Sequence, residues 1–213
     1  MPIILPLRSA TTALALSVPT RWADVRLGQF VALYAPEPDD TRRPAELLCG
    51  LPAGYLDNLA ANDVAYLANL LAFAADTSPV LEALPTPDLP DIGSLSYGTL
   101  LLAQQHLSDH PDRPELFYLP RLLALYRMEL VYGKYIAAKV EACEAALLAA
   151  PVTEVYADAA FFLASLKQST RGTPPTPTTT PTPKTKSSKP AAKRLANASR
   201  RFSAWIRRLA EPS

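Results

Sequence analysis

Glycine is scarce in this chain: seven among 213 residues, at positions 28, 50, 54, 93, 98, 133 and 172. Scattered in this way they build no glycine-rich loop whose backbone N–H groups could cradle a phosphate, so the usual nucleotide-binding motifs are missing. The two cysteines, Cys49 and Cys143, lie far apart and match no metal or redox spacing, which argues against a disulfide scaffold. No uncharged run reaches the ~18 residues of a membrane-crossing helix, and the longest, beginning at Ile92, contains Gln104 and Gln105. The apolar N-terminus carries Pro6 and Arg8 inside its apolar segment, a poor fit to a secretory signal. No serine sits in a nucleophile elbow and no zinc-finger spacing occurs. No catalytic constellation and no cofactor is expected.

Charge of one sign is missing only on average. The net +1 of the whole chain hides 11 Lys+Arg against 19 Asp+Glu in residues 1–170, and 10 Lys+Arg against Glu211 alone in 171–213. A body of −8 and a tail of +9 predict a separate basic appendage.

The apolar pattern predicts a mainly α-helical domain over 1–168 with a small N-terminal β-hairpin. Leu14, Leu16 and Val18 alternate with small residues at period two, and the segment from Ile3 to Leu7 is the expected partner strand. Helical periodicity then takes over. Leu27, Phe30, Val31 and Tyr34 form a stripe closed by Pro36 and Pro38. Pro44 suits the first position of a second helix, Pro52 that of a short third, and Asn62 the N-cap of a helix over 63–75. Residues 76–93, with four prolines and Gly93, leave little room for a regular element. Three further helices and a kinked one follow: 96–108 with Leu100, Leu101 and Leu107 as core, 115–130 interrupted at Pro120, 134–149, and 153–168.

Beyond the body the composition changes. Residues 169–190 are rich in threonine and proline and predict a disordered, extended linker. Over 191–210, Leu195, Phe202, Trp205, Ile206 and Leu209 share one helical stripe. The basic pairs Lys193–Arg194, Arg200–Arg201 and Arg207–Arg208 recur every seven residues beside it. This basic amphipathic helix is the strongest functional signal in the sequence. It suits a protein surface, the chain's own acidic body or a partner's, with an anionic membrane or nucleic acid as alternatives.

Weaker signals are read as structural. His106 and His110, four apart, could with Asp109 or Asp112 approach a metal, but lack a full ligand set and read as solvated histidines at a helix end. Cys143, with Glu141 and Glu144 beside it, reads as a core cysteine next to solvated acids. Glu37, Asp39 and Asp40 read as a solvated turn, and the Thr–Pro steps with the PxxP at Pro174–Pro177 as linker composition.

Three stretches together resemble a known family. They are Pro19-Thr20-Arg21-Trp22-Ala23-Asp24-Val25 running into Leu27-Gly28-Gln29-Phe30, then Leu119-Pro120-Arg121-Leu122-Leu123-Ala124-Leu125-Tyr126, then Ala150-Pro151-Val152 followed by Phe161-Phe162-Leu163. In this order they resemble the tail assembly chaperones of tailed bacteriophages, over about residues 12–168. The resemblance implies a non-enzymatic phage or prophage factor, working in the cytoplasm of a bacterial host. It would keep a long, apolar, helical tape-measure protein soluble, with self-association also open. It carries over no catalytic residue. An adaptor tethered to nucleic acid or an anionic membrane by its basic helix is the alternative.

Overall fold

In the computed structural model, the described residues are 2–8, 13–86, 89, 92–133 and 135–170, and most of them are helical. The expected basic helix at 191–210 lies outside them. So does the expected linker, apart from residues 169 and 170, which belong to the last helix.

Strands β1 (Ile3–Arg8) and β2 (Ala13–Val18) pair antiparallel, with Ile3 opposite Val18 and Leu5 opposite Leu16. The period-two pattern holds on β2: Leu16 and Val18 are buried and Ser17 is exposed. A lone hairpin is marginal in water, and this one rests on helix α2 (Pro44–Cys49).

Helix starts and stops follow local chemistry. Before α1 (Leu27–Tyr34), Gln29 Oε1 accepts the Arg26 N–H at 2.8 Å, while Gln29 Nε2 donates to the Leu48 carbonyl at 2.7 Å. One side chain thus caps α1 and holds it to α2. Pro44 takes the first position of α2, where its missing N–H costs nothing. The buried Glu46 carboxylate accepts the N–H of Arg43 at 2.7 Å and of Leu56 at 3.2 Å. Gly50, at φ 65°, ends α2 in the left-handed conformation that side chains resist.

Several expected boundaries move. The segment after Pro52 makes only a 3-10 turn, Tyr55–Asn58, because Gly54 at φ 74° reverses the chain first. Helix α3 (Ala61–Leu70) starts before Asn62: the extended Ala60 presents its carbonyl to Asp63 and Val64, so Asn62 is already helical and caps nothing. The 3-10 turn Leu71–Ala75 follows, and α4 (Ser78–Leu81) forms in the proline-rich segment expected to be irregular, with Pro79 in its first turn. Within residues Ala61–Leu81 an 18-residue window reaches a mean hydropathy of 1.3. Asp76 breaks them, and Leu67, Leu71, Ala74 and Val80 are buried in the core.

Helix α5 (Tyr97–Asp109) is capped by Ser96, whose Oγ accepts the Thr99 N–H. Leu101, expected in the core, is exposed, and Thr99 and Ala103 take the buried positions. Helix α6 (Glu115–Tyr132) is continuous through Pro120. Pro120 has no N–H to offer the Leu116 carbonyl, and it is itself buried in the packed face of the helix. Helix α6 is the centre of the fold: Tyr118, Leu119, Leu122, Leu123, Ala124, Leu125 and Tyr126 are all buried, against α5, α7 (Ala137–Ala149), α8 (Val152–Thr170) and α1.

The three stretches that carry the family resemblance meet in this core. Val25 and Leu27 exchange backbone hydrogen bonds with Val152 and Ala150 at 2.8 and 2.9 Å. Trp22 packs edge-on against Phe30 and Phe73, with its indole N–H on the Asp76 carbonyl. Asp158, buried on α8, accepts from the Thr86 N–H at 2.7 Å and the Thr86 hydroxyl at 3.0 Å, with Arg127 of α6 at 3.4 Å. That carboxylate closes the loop after α4 over α8.

Candidate functional site

Helices α5 and α6 run in opposite directions. At one end the Glu129 carboxylate accepts from the Ser96 N–H at 3.3 Å, from the Ser96 hydroxyl at 3.0 Å and from the Thr99 hydroxyl. At the other, the Tyr118 hydroxyl donates to the His110 carbonyl. These bonds, the Thr99 one foremost, hold Glu129 below the usual carboxylate range against the opposing effect of burial.

Between these two clamps lies a cleft of about 170 Å³, lined by Leu102, Gln105, His106 and Asp109 of α5, Arg121 and Leu125 of α6, and Tyr135 from the α6–α7 connection. The α5 residues are spaced at three, four and seven, so they share one helix face. Arg121 is held across to α7 by Glu144 at 2.9 Å. His106 belongs to an aromatic group with Phe117, 6.2 Å away and stacked, Tyr118 at 5.6 Å and His110 at 5.9 Å. Arg113 lies over the Phe117 ring at 4.4 Å and pairs with Glu37. His106 Nε2 is buried without a hydrogen-bond partner. Burial lowers the pKa of His106, overriding the attraction of Glu144 and Asp109, and Arg121 and His110 push the same way as burial.

The same two helices and the connection after α6 also expose apolar side chains. Tyr97 and Leu101 on α5, Leu130, Val131 and Tyr132 at the end of α6, and Tyr135 are all exposed. Lys139 sits 3.6 Å above the Tyr132 ring and leaves Val131, 67% exposed, without cover. Exposed apolar side chains of this size on paired helices are the usual material of an interaction surface.

Neither a protein-family model, a curated protein nor a solved structure matches this chain.

The two histidines touch edge to face within an aromatic group, and His106 is half-buried where solvated rings were expected. Among the described residues no three His, Cys, Asp or Glu side chains gather to hold a metal. Cys143 is half-buried on α7, and burial first, then Glu144, raises its thiol pKa despite Arg127. The Cys49 thiol is pushed up to about 12 by burial. Both favour the inert thiol form. Glu37 and Asp39 are exposed at a turn, as expected, with Glu37 also pairing with Arg113, while the partly buried Asp40 pairs with Arg42, which holds it below its ordinary value.

The nine residues singled out on the tail, Leu195, Arg200, Arg201, Phe202, Trp205, Ile206, Arg207, Arg208 and Leu209, lie outside the described residues. Sequence reasoning missed the apolar rim. One signal was present in Leu130-Val131-Tyr132, three consecutive apolar residues where a helix buries only one face.

Proposed function

We propose that this chain is a non-enzymatic assembly factor of the phage or prophage tail-assembly chaperone kind. It holds an apolar helical client, a tape-measure-like protein, along the α5–α6 cleft and its rim. The observation that carries this reading is the exposure of large apolar side chains on the two helices that line the cleft, with Tyr97 at 77% and Val131 at 67%. An amphipathic client helix laid there would cover these side chains with its own apolar face. The order of the three resembling stretches adds support, since their residues build the core on which α5 and α6 are mounted. On this reading the place of action is the cytoplasm of a bacterial host, and the rim also offers a route to self-association.

The test is retention of an apolar tape-measure segment by the full chain in a pull-down. Val131→Asp and Tyr97→Asp, both at exposed positions, should keep the helical circular dichroism and lose most of the client. Full retention by both variants would move the client off this surface.

The second reading, an adaptor tethered to nucleic acid or an anionic membrane, rests on the +9 of residues 171–213. Binding that collapses between low and moderate salt would favour it.

A further inference from the structure

We infer that the chain's own basic segment, residues 191–210, docks in cis on the α5–α6 cleft and guards it until a client displaces it. The inference rests on the cleft being the client site, and adds an occupant and a regulation to it.

Three observations point to this occupant. The first is charge. Residues 1–170 carry −8 and residues 171–213 carry +9, so body and tail attract before any contact forms. On the cleft itself Asp109 is exposed, and the one guanidinium lining it, Arg121, is engaged by Glu144. Arginines arriving beside an apolar stripe meet an acid and no unengaged cation lining the cleft.

The second is where the described chain stops. Helix α8 ends at Thr170, and Lys167, one turn before, pairs with Glu115 at the start of α6. Arg121 lies six residues along that helix, about 9 Å of axial rise. The chain therefore leaves the body beside the His106 end of the cleft. Twenty-four residues, 171–194, separate that point from the start of the apolar stripe, and at the ~3.1 Å per residue of a proline-rich extended chain they reach well beyond this distance. Tethering in the same chain raises the local concentration of the tail above that of a separate peptide, by less than a short flexible linker would.

The third is the match of faces. Leu195, Phe202, Trp205, Ile206 and Leu209 share one apolar stripe by their spacing, and three of the seven residues lining the cleft, Leu102, Leu125 and Tyr135, can meet it, with Gln105, His106, Asp109 and Arg121 as the polar remainder. A client must present the same kind of stripe, so tail and client compete for one surface. Competition of this sort keeps an apolar site covered while no client is present.

The test is photo-crosslinking on the full-length chain at micromolar dilution, without client. Tyr135 in the cleft is replaced by p-benzoylphenylalanine, and in a second protein Tyr66 on α3 is replaced in the same way. Both are exposed tyrosines, at 40% and 52%, so the aromatic replacement leaves the fold intact. The expected result is an intramolecular crosslink from position 135 to a peptide within 195–209, at several times the yield from position 66. Asp109→Lys should cut that yield several-fold, and an added apolar client peptide should abolish it. Crosslinks running only between two chains, or equal yields from both positions, would overturn the docking. A tail held on nucleic acid or lipid would give that second result. If the tail fails to crosslink but the client still crosslinks at position 135, the inference falls and the client reading stands. If neither crosslinks there, both fall.

Discussion

The Tyr126 and Phe162 rings stack, with centroids 4.7 Å apart and planes inclined by 29°, and this contact fastens α8 to the central helix. Phe162 is fully buried, whereas Phe161, one residue earlier, is 37% exposed. A step of one residue turns the side chain by about 100° around the helix, so adjacent phenylalanines have opposite roles. Phe162→Ala should destabilise the protein by about 3–5 kcal/mol. Phe161→Ala should cost under about 1 kcal/mol. Urea unfolding of the two variants decides, and equal losses would contradict the packing described for α8.

Three glycines should respond to alanine with different signs. At Gly28 a Cβ would sit 3.2 Å from the Leu148 carbonyl oxygen, because α1 lies close against α7 there. Gly28→Ala should therefore destabilise, despite the ~1 kcal/mol that alanine gains over glycine within a helix. Gly50 has open space but a φ of +65°, so Gly50→Ala should cost about 1 kcal/mol through backbone strain alone. Gly98, in the first turn of α5, has nothing within 4 Å and no positive φ. Gly98→Ala should stabilise by about 0.5 kcal/mol. Thermal melts of the three variants give the order Gly98→Ala highest and the other two below wild type.

These cases show what was legible in the sequence. Apolar periodicity located the hairpin and the long helices, because burial of one face is what makes an element stable, and that face is written in spacing. Ser96 and Pro44 marked helix starts correctly, since their local chemistry had no competitor. Asn62 misled: a good capping residue does not start a helix when the extended backbone is already supplied by Ala60. Leu101 misled because a leucine on an amphipathic stripe reads the same whether α5 is covered on one side or two. Which side of α5 stays open is decided by α6 and by the Glu129 clamp, contacts some thirty residues away. The cleft was illegible for the same reason. Leu102, Arg121 and Tyr135 become neighbours only through helix pairing, and no spacing in the chain encodes it.

Asp158 offers a test of a buried polar latch. Its carboxylate receives two hydrogen bonds from Thr86, and Arg127 completes the set. Asp158→Ala leaves the Thr86 N–H without its acceptor in a partly buried site and should cost about 2–3 kcal/mol. Asp158→Asn keeps one acceptor oxygen and should cost about half as much. Hydrogen exchange of the Thr86 amide should quicken in both, more in the alanine variant. An unchanged exchange rate would show that the loop after α4 is held by something else.

The last prediction concerns acid. Burial lowers the His106 pKa from its ordinary 6.5, so the folded protein resists a proton that the unfolded chain accepts. Below about pH 6.5 the unfolded state binds more protons than the folded state, and stability falls as pH falls. The shifts at Asp40 and Glu129 act in a separate window. Their carboxyls are held below 3.8 and 4.5 by Arg42 and by Thr99 respectively. Stability from those groups is present at pH 6 and is lost only as pH drops through about 4. Between pH 7 and 5 the histidine therefore acts without them. His106→Phe removes the titrating group, leaves no buried Nε2, and keeps a ring beside Phe117 and Tyr118. Its urea midpoint should decline less than that of the wild type between pH 7 and 5, and both should decline together below pH 4. Parallel declines of both proteins across pH 7 to 5 would remove His106 from the account.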